Sequence, residues 1–378
     1  MLKRTVFRQV QQLCSRDEFE NCSQKYFQGR KREMTPWRLF QILLLSQLCG
    51  CRSLRDIEAI LASHREKNYH HGMKDFGKST IGRAMGDFNE KIYADFAQVL
   101  LSWCRKKAPR HHFRFKNKLY SMDSTTISLC LNLFDWAHFR QRKGGVKIHT
   151  QLDHDGYIPE VLAITKAKSS DSTQARLLKA AKGDIVVFDR GYNSYKWFKR
   201  LDNKGVFFVT RLKSNADYKV LKCHKVTRGK GVISDKTIQL KHKDAPVKLR
   251  CVIYFDAQTK EKYFYLTNNF KLCARTIADI YKDRWRIETF FKELKQNLEI
   301  KTFMGTSENA VKSQIYITFC AYLLLKLLRL SEGIEQSVAT IRKIIATAIF
   351  TTKNFQSLFR KEPPDAKEEQ TQLIMAWR

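Results

Sequence analysis

Acidic residues are scarce in this chain of 378 residues, because 37 Asp and Glu stand against 70 Lys and Arg and leave a formal net charge of +33. The basic residues are spread along almost the whole sequence and are not confined to a tail. A positive field of this size concentrates polyanions, and it carries a cost in self-repulsion unless a polyanion offsets it. The composition therefore predicts a nucleic-acid partner, with a generic solvated basic surface as the alternative.

Paired cysteine motifs and long apolar runs are also missing. The ten cysteines form no C-x-x-C pair and no Cys/His cluster with zinc spacing, so we expect reduced thiols. The opening residues, MLKRTVFRQV, contain no apolar segment of signal-peptide length. The longest apolar run, from Ile315 to Leu325, is too short to span a bilayer. These absences predict a soluble, cytoplasmic protein without a membrane partner.

The segment HGMKDFGKST, residues 71–80, matches the nucleotide-binding P-loop pattern G-x-x-x-x-G-K-S. A P-loop needs a buried strand before it, but the residues that precede Gly72, SHREKNYHH, are polar throughout. The sequence therefore predicts that ATP does not bind here. We interpret the segment as a basic turn before a helix, where Lys78 and Arg83 contact DNA phosphates, and an ordinary surface turn is the alternative.

Helical patterns surround this turn. Thr35 predicts the start of one helix and Ser53 the start of a second, while Ser79 or Thr80 is expected to cap a third. Two helices, a basic turn and a further helix are typical of DNA-reading domains. We therefore predict an all-α DNA-binding domain over residues 1–110.

The pattern changes to that of β-strands near Lys118. Three alternating, β-branched runs are followed by a short helix, a buried strand, a second helix and another strand. This order predicts an α/β fold with a mixed sheet and helices packed against it. We assign a core to residues 111–212 and 274–330, a β-rich insertion to 213–273, and a helical C-terminal region and tail to 331–378.

Three carboxylates lie where a two-metal site requires them. Asp123 is within the first strand, Asp189 ends the buried fourth strand, and Glu288 is in a helix predicted from Thr276 to Asn297. A carboxylate in a core strand is costly to bury unless it is paired or bound to a cation. Together the three can hold two Mg²⁺ ions for in-line phosphoryl transfer, although a single Asp at a strand end is more often a cap or turn residue.

The helix that contains Glu288 carries a regular polar stripe. Its members follow one another at intervals of three, four and seven residues, which share one face of an α-helix: Tyr281, Arg284, Glu288 and Lys295. The stripe places two cations and a phenol beside one carboxylate. For this helix alone, a solvated charged face is the alternative.

The segments MDSTT and FDRGY and the helix pattern Y-(2)-R-(3)-E-(6)-K together resemble the DDE transposases of bacterial insertion sequences, in particular insertion sequence family four. The resemblance covers residues 118–330 closely, and residues 35–103 resemble the N-terminal domain of the same family. It implies a ribonuclease H-like core with a β insertion before the catalytic Glu. It also implies a protein that works in the bacterial cytoplasm, associated with the nucleoid.

The resemblance implies roles for the motif residues. The catalytic and metal-binding triad would be Asp123, Asp189 and Glu288, with Mg²⁺ as cofactor and Mn²⁺ as a substitute. Three residues would hold the terminal phosphates of the transposon end: Tyr281, Arg284 and Lys295. The implied partners are double-stranded DNA, as transposon ends and target, and a second copy of the chain in a synaptic homodimer, with neither membrane nor ATP.

The implied function is metal-dependent DNA cleavage and strand transfer at the ends of the chain's own insertion sequence. A catalytically silent DNA-binding or repressor protein derived from such an enzyme is the alternative, and the intact triad argues against it. Some relatives flip a base onto a Trp of the insertion, but residues 213–273 contain none. The aromatic candidates for that role are Phe255, Tyr263, Phe264 and Tyr265.

Overall fold

The structure is a computed structural model that describes residues 4–29, 33–130, 133–140, 143–226, 231–242, 244, 246, 248–297 and 302–359. Within these ranges the chain folds as a mixed α/β protein, with helices before and after a sheet of ten strands. This arrangement confirms the predicted fold class.

The N-terminal region is helical. Its helices are α1 Val6–Gln12, α2 Arg16–Gln24, α3 Pro36–Cys49, α4 Leu54–Ser63, α5 Arg65–Asn68, α6 Lys78–Asp87 and α7 Lys91–Lys107. Thr35 and Ser53 cap α3 and α4 as predicted, because each hydroxyl accepts a hydrogen bond from a backbone N–H in the first turn. The residues before Gly72 are helical, so the strand that a P-loop needs is not there.

The start predicted for the third helix is wrong. Helix α6 begins at Lys78 with Gly77 as its N-cap residue, and neither Ser79 nor Thr80 caps it. Instead Oε1 of Glu58, on α4, accepts a hydrogen bond of 3.1 Å from the Lys78 N–H. A neighbouring carboxylate thus satisfies the helix N-terminus, an interaction that the local sequence does not reveal.

Ten strands form one sheet. They are β1 Leu119–Leu129, β2 His138–Arg140, β3 Lys143–Asp153, β4 Ile158–Lys166, β5 Ile185–Phe188, β6 Phe207–Arg211, β7 Tyr218–Cys223, β8 Val232–Leu240, β9 Leu249–Asp256 and β10 Glu261–Thr267. The central five lie in the order β4-β3-β1-β5-β6, with β3 antiparallel to both neighbours and β1, β5 and β6 mutually parallel. This is the ribonuclease H-like arrangement that the resemblance implied.

Short helices lead into and out of the buried strand β5. Helix α8, Asp171–Gln174, precedes β5, and α9, Tyr195–Asn203, joins β5 to β6. The helix predicted before β5 is thus only one turn, followed by a 3-10 turn. Helix α9 packs Phe198 on Phe208 of β6, with ring centroids 4.7 Å apart. The buried β5 is fixed between these connections.

The insertion is β-rich, as predicted, and its strands continue the core sheet. Strands β7 to β10 form an antiparallel series, and β10 pairs with β6, so that Thr267 lies opposite Val209. The insertion is therefore joined to the core by backbone hydrogen bonds as well as by the chain.

The long helix predicted after the insertion is two helices, α10 Ala274–Asp283 and α11 Trp285–Asn297. At the break, the Arg284 N–H donates to the Tyr281 carbonyl at 3.2 Å, and the Ile287 N–H donates to the Arg284 carbonyl at 3.0 Å. Both bonds span three residues instead of four, so the helix tightens locally at Arg284.

The C-terminal helices are α12 Glu308–Ser331, α13 Val338–Ala348 and α14 Phe355–Phe359. Among the described residues, α12 is long and apolar enough by length and composition to cross a membrane, yet 89% of that apolar window is buried inside the protein. It packs on α3 and α7, in one apolar core that the N-terminal helices share with α11, α12 and α13. The domain boundaries at 110 and 331 stay predictions.

One side chain in the first turn of α12 holds the turn between α6 and α7. The Asn309 amide donates to the carbonyls of Met85, Gly86 and Phe88 at 3.2, 2.9 and 2.6 Å, and its oxygen accepts from the Glu90 N–H at 3.0 Å. The turn is thus tied to the C-terminal helices.

We expect Asn309→Ala to lower the free energy of unfolding by about 2 kcal/mol, because several partly buried backbone groups lose their partner. Ser102→Ala is the matched control, since this exposed hydroxyl on α7 bonds only to its own helix, at the Val99 carbonyl, and should change stability by less than about 0.5 kcal/mol. Chemical denaturation of both variants measures the difference. Equal stability of the two would contradict the role of Asn309.

Candidate active site

Two of the predicted carboxylates lie side by side on adjacent parallel strands, Asp123 within β1 and Asp189 directly after β5. Met122 of β1 pairs with Phe188 of β5, and the residues that follow this pair are Asp123 and Asp189. The buried apolar strand β5 fixes the second position, because all four of its side chains are buried. Strand pairing alone therefore brings the two Asp residues together.

The third carboxylate reaches the same place from α11. Arg284 Nη1 donates to Asp123 Oδ2 at 3.2 Å, and Arg284 Nη2 donates to Glu288 Oε1 at 2.6 Å. The guanidinium, whose side chain is 11% exposed, thus bridges the strand and the helix. The hydroxyl of Tyr281 donates to Asp189 Oδ1 at 3.2 Å. The structure brings five of the predicted site residues into one cluster.

Electrostatics at the cluster show an excess of negative charge. The pKa of Asp123 is raised to about 6, mainly by burial, with a contribution from the neighbouring carboxylates Glu288 and Asp189 and with opposing effects from the Ser124 N–H and Arg284. Burial is also the largest cause that raises the pKa of Tyr281 to about 12, so its phenol stays a neutral donor at physiological pH. One guanidinium does not fully offset the three carboxylates.

The donor set fits a divalent cation. Its three carboxylates offer only oxygen atoms, the ligands that Mg²⁺ prefers, and the raised pKa of Asp123 shows that more positive charge would be favourable. In the part of the chain that the structure describes, no three His, Cys, Asp or Glu side chains already stand in a metal-holding arrangement. The cation between Asp123 and Glu288 is the guanidinium of Arg284.

The remaining predicted contact residues lie on α11 and α6. Lys295 is half-buried on α11, two helical turns beyond Glu288. Lys78 and Arg83 are exposed on α6, which packs on α3, α4 and α12. Their roles in DNA binding stay predictions.

An aromatic cavity beside the cluster contains a residue that the sequence reasoning missed. Trp285 follows Arg284, is 65% exposed, and lines a cavity of about 480 Å³. The same cavity is lined by Tyr263, Tyr265, Tyr281 and Arg211. The Arg211 guanidinium lies 4.9 Å from the Tyr263 ring centroid, and the rings of Tyr265 and Tyr281 are 4.9 Å apart. A Trp between two arginines in the signature helix was the available signal.

Comparison with protein families decides the identity. Residues 114–324, more than half of the chain, match the family model described as Transposase DDE domain. The chain belongs to this DDE transposase family. Residues 3–74 of the transposase match a model described as a domain of unknown function, DUF4372. The resemblance to DDE transposases of bacterial insertion sequences is thereby confirmed.

Individual relatives agree with the family. The transposase is 34% identical over 249 residues to a protein of Sinorhizobium fredii named as transposase y4zB, over 64% of this chain and 69% of that protein. It is 30% identical over 287 residues to a protein of Geobacillus stearothermophilus named as transposase for insertion sequence element IS5377, over 73% and 75% of the two chains. A piggyBac transposase synaptic complex with hairpin DNA matches 98% of this chain and 88% of that one, at 10% identity and a TM-score of 0.49, which is too loose to carry an argument.

The chain is therefore an enzyme of DNA transposition and recombination, whose substrate is DNA. DDE transposases generally use divalent metal ions. None of the findings favours the catalytically silent alternative.

Without divalent ions at pH 7.5, we expect Asp123→Asn to raise the free energy of unfolding by about 1 to 2 kcal/mol. The folded-state pKa of about 6 lies above 3.8, the ordinary value for an Asp carboxyl, so the folded protein binds the proton more tightly than the unfolded chain. Wild-type stability thus falls as the pH rises between these values, and the variant lacks this loss. Denaturation in EDTA at pH 4 and pH 7.5 measures the difference.

Asp56→Asn is the control of opposite sign. Hydrogen bonds from the Arg52 N–H and the Ser53 hydroxyl lower the pKa of Asp56, so its removal should cost stability at neutral pH and not at acid pH. An Asp123→Asn variant with the wild-type pH dependence would show that the carboxyl is not under electrostatic strain.

Proposed function

We propose that Asp123, Asp189 and Glu288 are the catalytic residues and bind Mg²⁺, with Mn²⁺ as a substitute, for DNA cleavage and strand transfer at the ends of the chain's own insertion sequence. The observation that carries this proposal is the convergence of three carboxylates: Asp123 and Glu288 share the Arg284 guanidinium, and Asp189, next to Asp123, accepts a hydrogen bond from Tyr281. When bound, the ions supply activation of the attacking oxygen and stabilisation of the leaving oxygen in an in-line displacement.

The protein's own groups hold this site in position. Asp123 and Asp189 are fixed by the pairing of β1 with β5, and the neutral Tyr281 hydroxyl orients Asp189 through its hydrogen bond. Arg284 balances Asp123 and Glu288 until DNA and cations arrive. A guanidinium released from the carboxylates can then bind a terminal phosphate in bidentate fashion, together with Lys295 and Tyr281.

The aromatic cavity is suited to an unstacked base at the transposon end. Trp285 and Tyr263 offer ring faces above the buried Tyr265, and Arg211 adds a cation beside them. Base–aromatic stacking of this kind tolerates any base sequence. Of the four aromatic candidates of the insertion, Tyr263 and Tyr265 are the two that line the cavity, and Trp285 supplies the indole that the insertion lacks.

DNA recognition by the N-terminal region completes the proposal. Lys78 is exposed at the start of α6 and Arg83 in its middle, and Glu58 already accepts the hydrogen bond from the Lys78 N–H. Phosphate contacts here would therefore come from the side chains and not from the helix N-terminus. The partners are double-stranded DNA, as transposon ends and target, and a second copy in the synaptic complex, with no ATP, at the nucleoid in the bacterial cytoplasm.

We expect Asp123→Asn to reduce end cleavage by at least about 10³-fold in Mg²⁺ or Mn²⁺, while the affinity for a DNA end changes little, because phosphate contacts come from other residues. Asp184→Asn is the matched control, since Asp184 precedes the same strand that Asp189 follows and its carboxylate bonds to the Ala181 N–H. The assay is cleavage of a labelled end. If the Asp123 variant cleaved DNA as fast as the Asp184 control, the assignment of the catalytic triad would be wrong.

We expect Lys78→Ala and Arg83→Ala, each in the full chain, to weaken binding to DNA and to reduce the slope of log affinity against log salt by about one unit each. The full chain is needed because the N-terminal helices share their core with α12. Glu58→Gln serves as the control that removes a charge of opposite sign beside α6. Binding titrations at several salt concentrations give the slopes, and unchanged slopes in both variants would place the DNA elsewhere.

A further inference from the structure

A buried Ser-His-Asp chain lies beside the active site and is not part of it. The ring of His154 is hydrogen-bonded on both sides, by Nε2 to the Ser121 hydroxyl and by Nδ1 to Asp283 Oδ2, each at 2.7 Å. Ser121 and His154 are both 0% exposed. The arrangement resembles a hydrolase triad, but a substrate cannot reach the hydroxyl, so nucleophilic chemistry is excluded.

The two outer residues of this hydrogen-bonded triad are next to residues of the proposed active site. Ser121 is on β1, two residues before Asp123, and Asp283 is the last residue of α10, immediately before Arg284. His154 follows β3 and is also anchored to β1, because its N–H donates to the Leu119 carbonyl at 3.0 Å. The imidazole therefore connects the strand that carries one carboxylate to the helix break that carries the bridging guanidinium.

The charges around Asp283 make this connection strong. Burial acts to raise the pKa of Asp283, but hydrogen bonds from His154 and Tyr157 and the charge of His112 lower it overall, so the carboxylate is ionised at neutral pH. An ionised carboxylate only accepts hydrogen bonds, so we assign a proton to Nδ1 of His154. Arg286 Nε lies 3.5 Å from the other oxygen of Asp283.

We propose that Ser121, His154 and Asp283 are positioning residues that fix the break between α10 and α11 against β1 and thereby set the position of Arg284 between Asp123 and Glu288. This inference rests on the proposed function of those three residues. Hydrogen-bonding partners of this kind, one step removed from the reacting groups, hold functional side chains in productive geometry.

Ser121→Ala and Asp283→Asn test the proposal, because both keep the size of the side chain nearly unchanged. Each should slow end cleavage by about 10- to 100-fold, with the affinity for a DNA end within about twofold of wild type. Thr318→Val is the control for a lost buried hydroxyl, since Thr318 is 0% exposed on α12 and bonds only to the Gln314 carbonyl. It should cleave at the wild-type rate.

A double-mutant cycle separates positioning from a general loss of stability. If Asp283 acts through Arg284, then Asp283→Asn should slow cleavage in the wild-type background but have little further effect in an Arg284→Lys background. Effects that multiply in the double variant, or a Thr318→Val defect as large as that of Ser121→Ala, would overturn the proposal.

Asp123→Asn, assayed alongside, distinguishes the two levels of inference. If it cleaves normally, the proposed catalytic site is wrong, and the positioning role is wrong with it. If it is inactive while Ser121→Ala and Asp283→Asn cleave at the wild-type rate, the catalytic site stands and only the positioning role is removed.

Discussion

The concentration of three carboxylates at one partly buried place is the constraint on which the rest of the structure depends. Such groups repel one another and lose hydration, and the raised pKa of Asp123 records that cost. In this structure Arg284 offsets part of it by binding Asp123 and Glu288 together. The same excess of negative charge would favour the divalent cations that we propose to bind here.

The scaffold resists this repulsion through backbone pairing and helix docking. Adjacent parallel strands give Asp123 and Asp189 no freedom to separate, and the locally tightened turn at Arg284 directs its guanidinium toward the sheet. The buried His154 ties the same turn to β1 from the other side. The carboxylates and the guanidinium that pairs with two of them thus come from three elements far apart in sequence. Packing and strand pairing hold each of these elements in place.

The sequence predicted the parts of the site that depend on local pattern. Alternation identified the strands of the core, the buried run before Asp189 identified β5, and helical spacing grouped Tyr281, Arg284 and Glu288. It did not predict the break at Arg284, the capping of α6 by Glu58, or the pairing of β10 with β6, because each arises from a contact with a residue distant in the chain. The sequence did not predict the hydrogen bonds of Ser121 and His154 for the same reason. In the sequence the two residues resemble ordinary strand and turn residues, and only the fold brings Asp283 beside His154.

The single apolar core shared by the N-terminal helices and α12 restricts how this enzyme can evolve. Under the proposed role of the N-terminal region in DNA recognition, an insertion sequence with new ends could not obtain a matching domain by exchanging this region with a distant relative. After such an exchange the apolar surface of α12, a helix apolar enough to cross a bilayer, would pack poorly against the new N-terminal helices. If α6 reads the ends as proposed, new specificity arises by substitutions on its exposed face, one side chain at a time, so the end sequence and this helix are expected to diverge gradually and together.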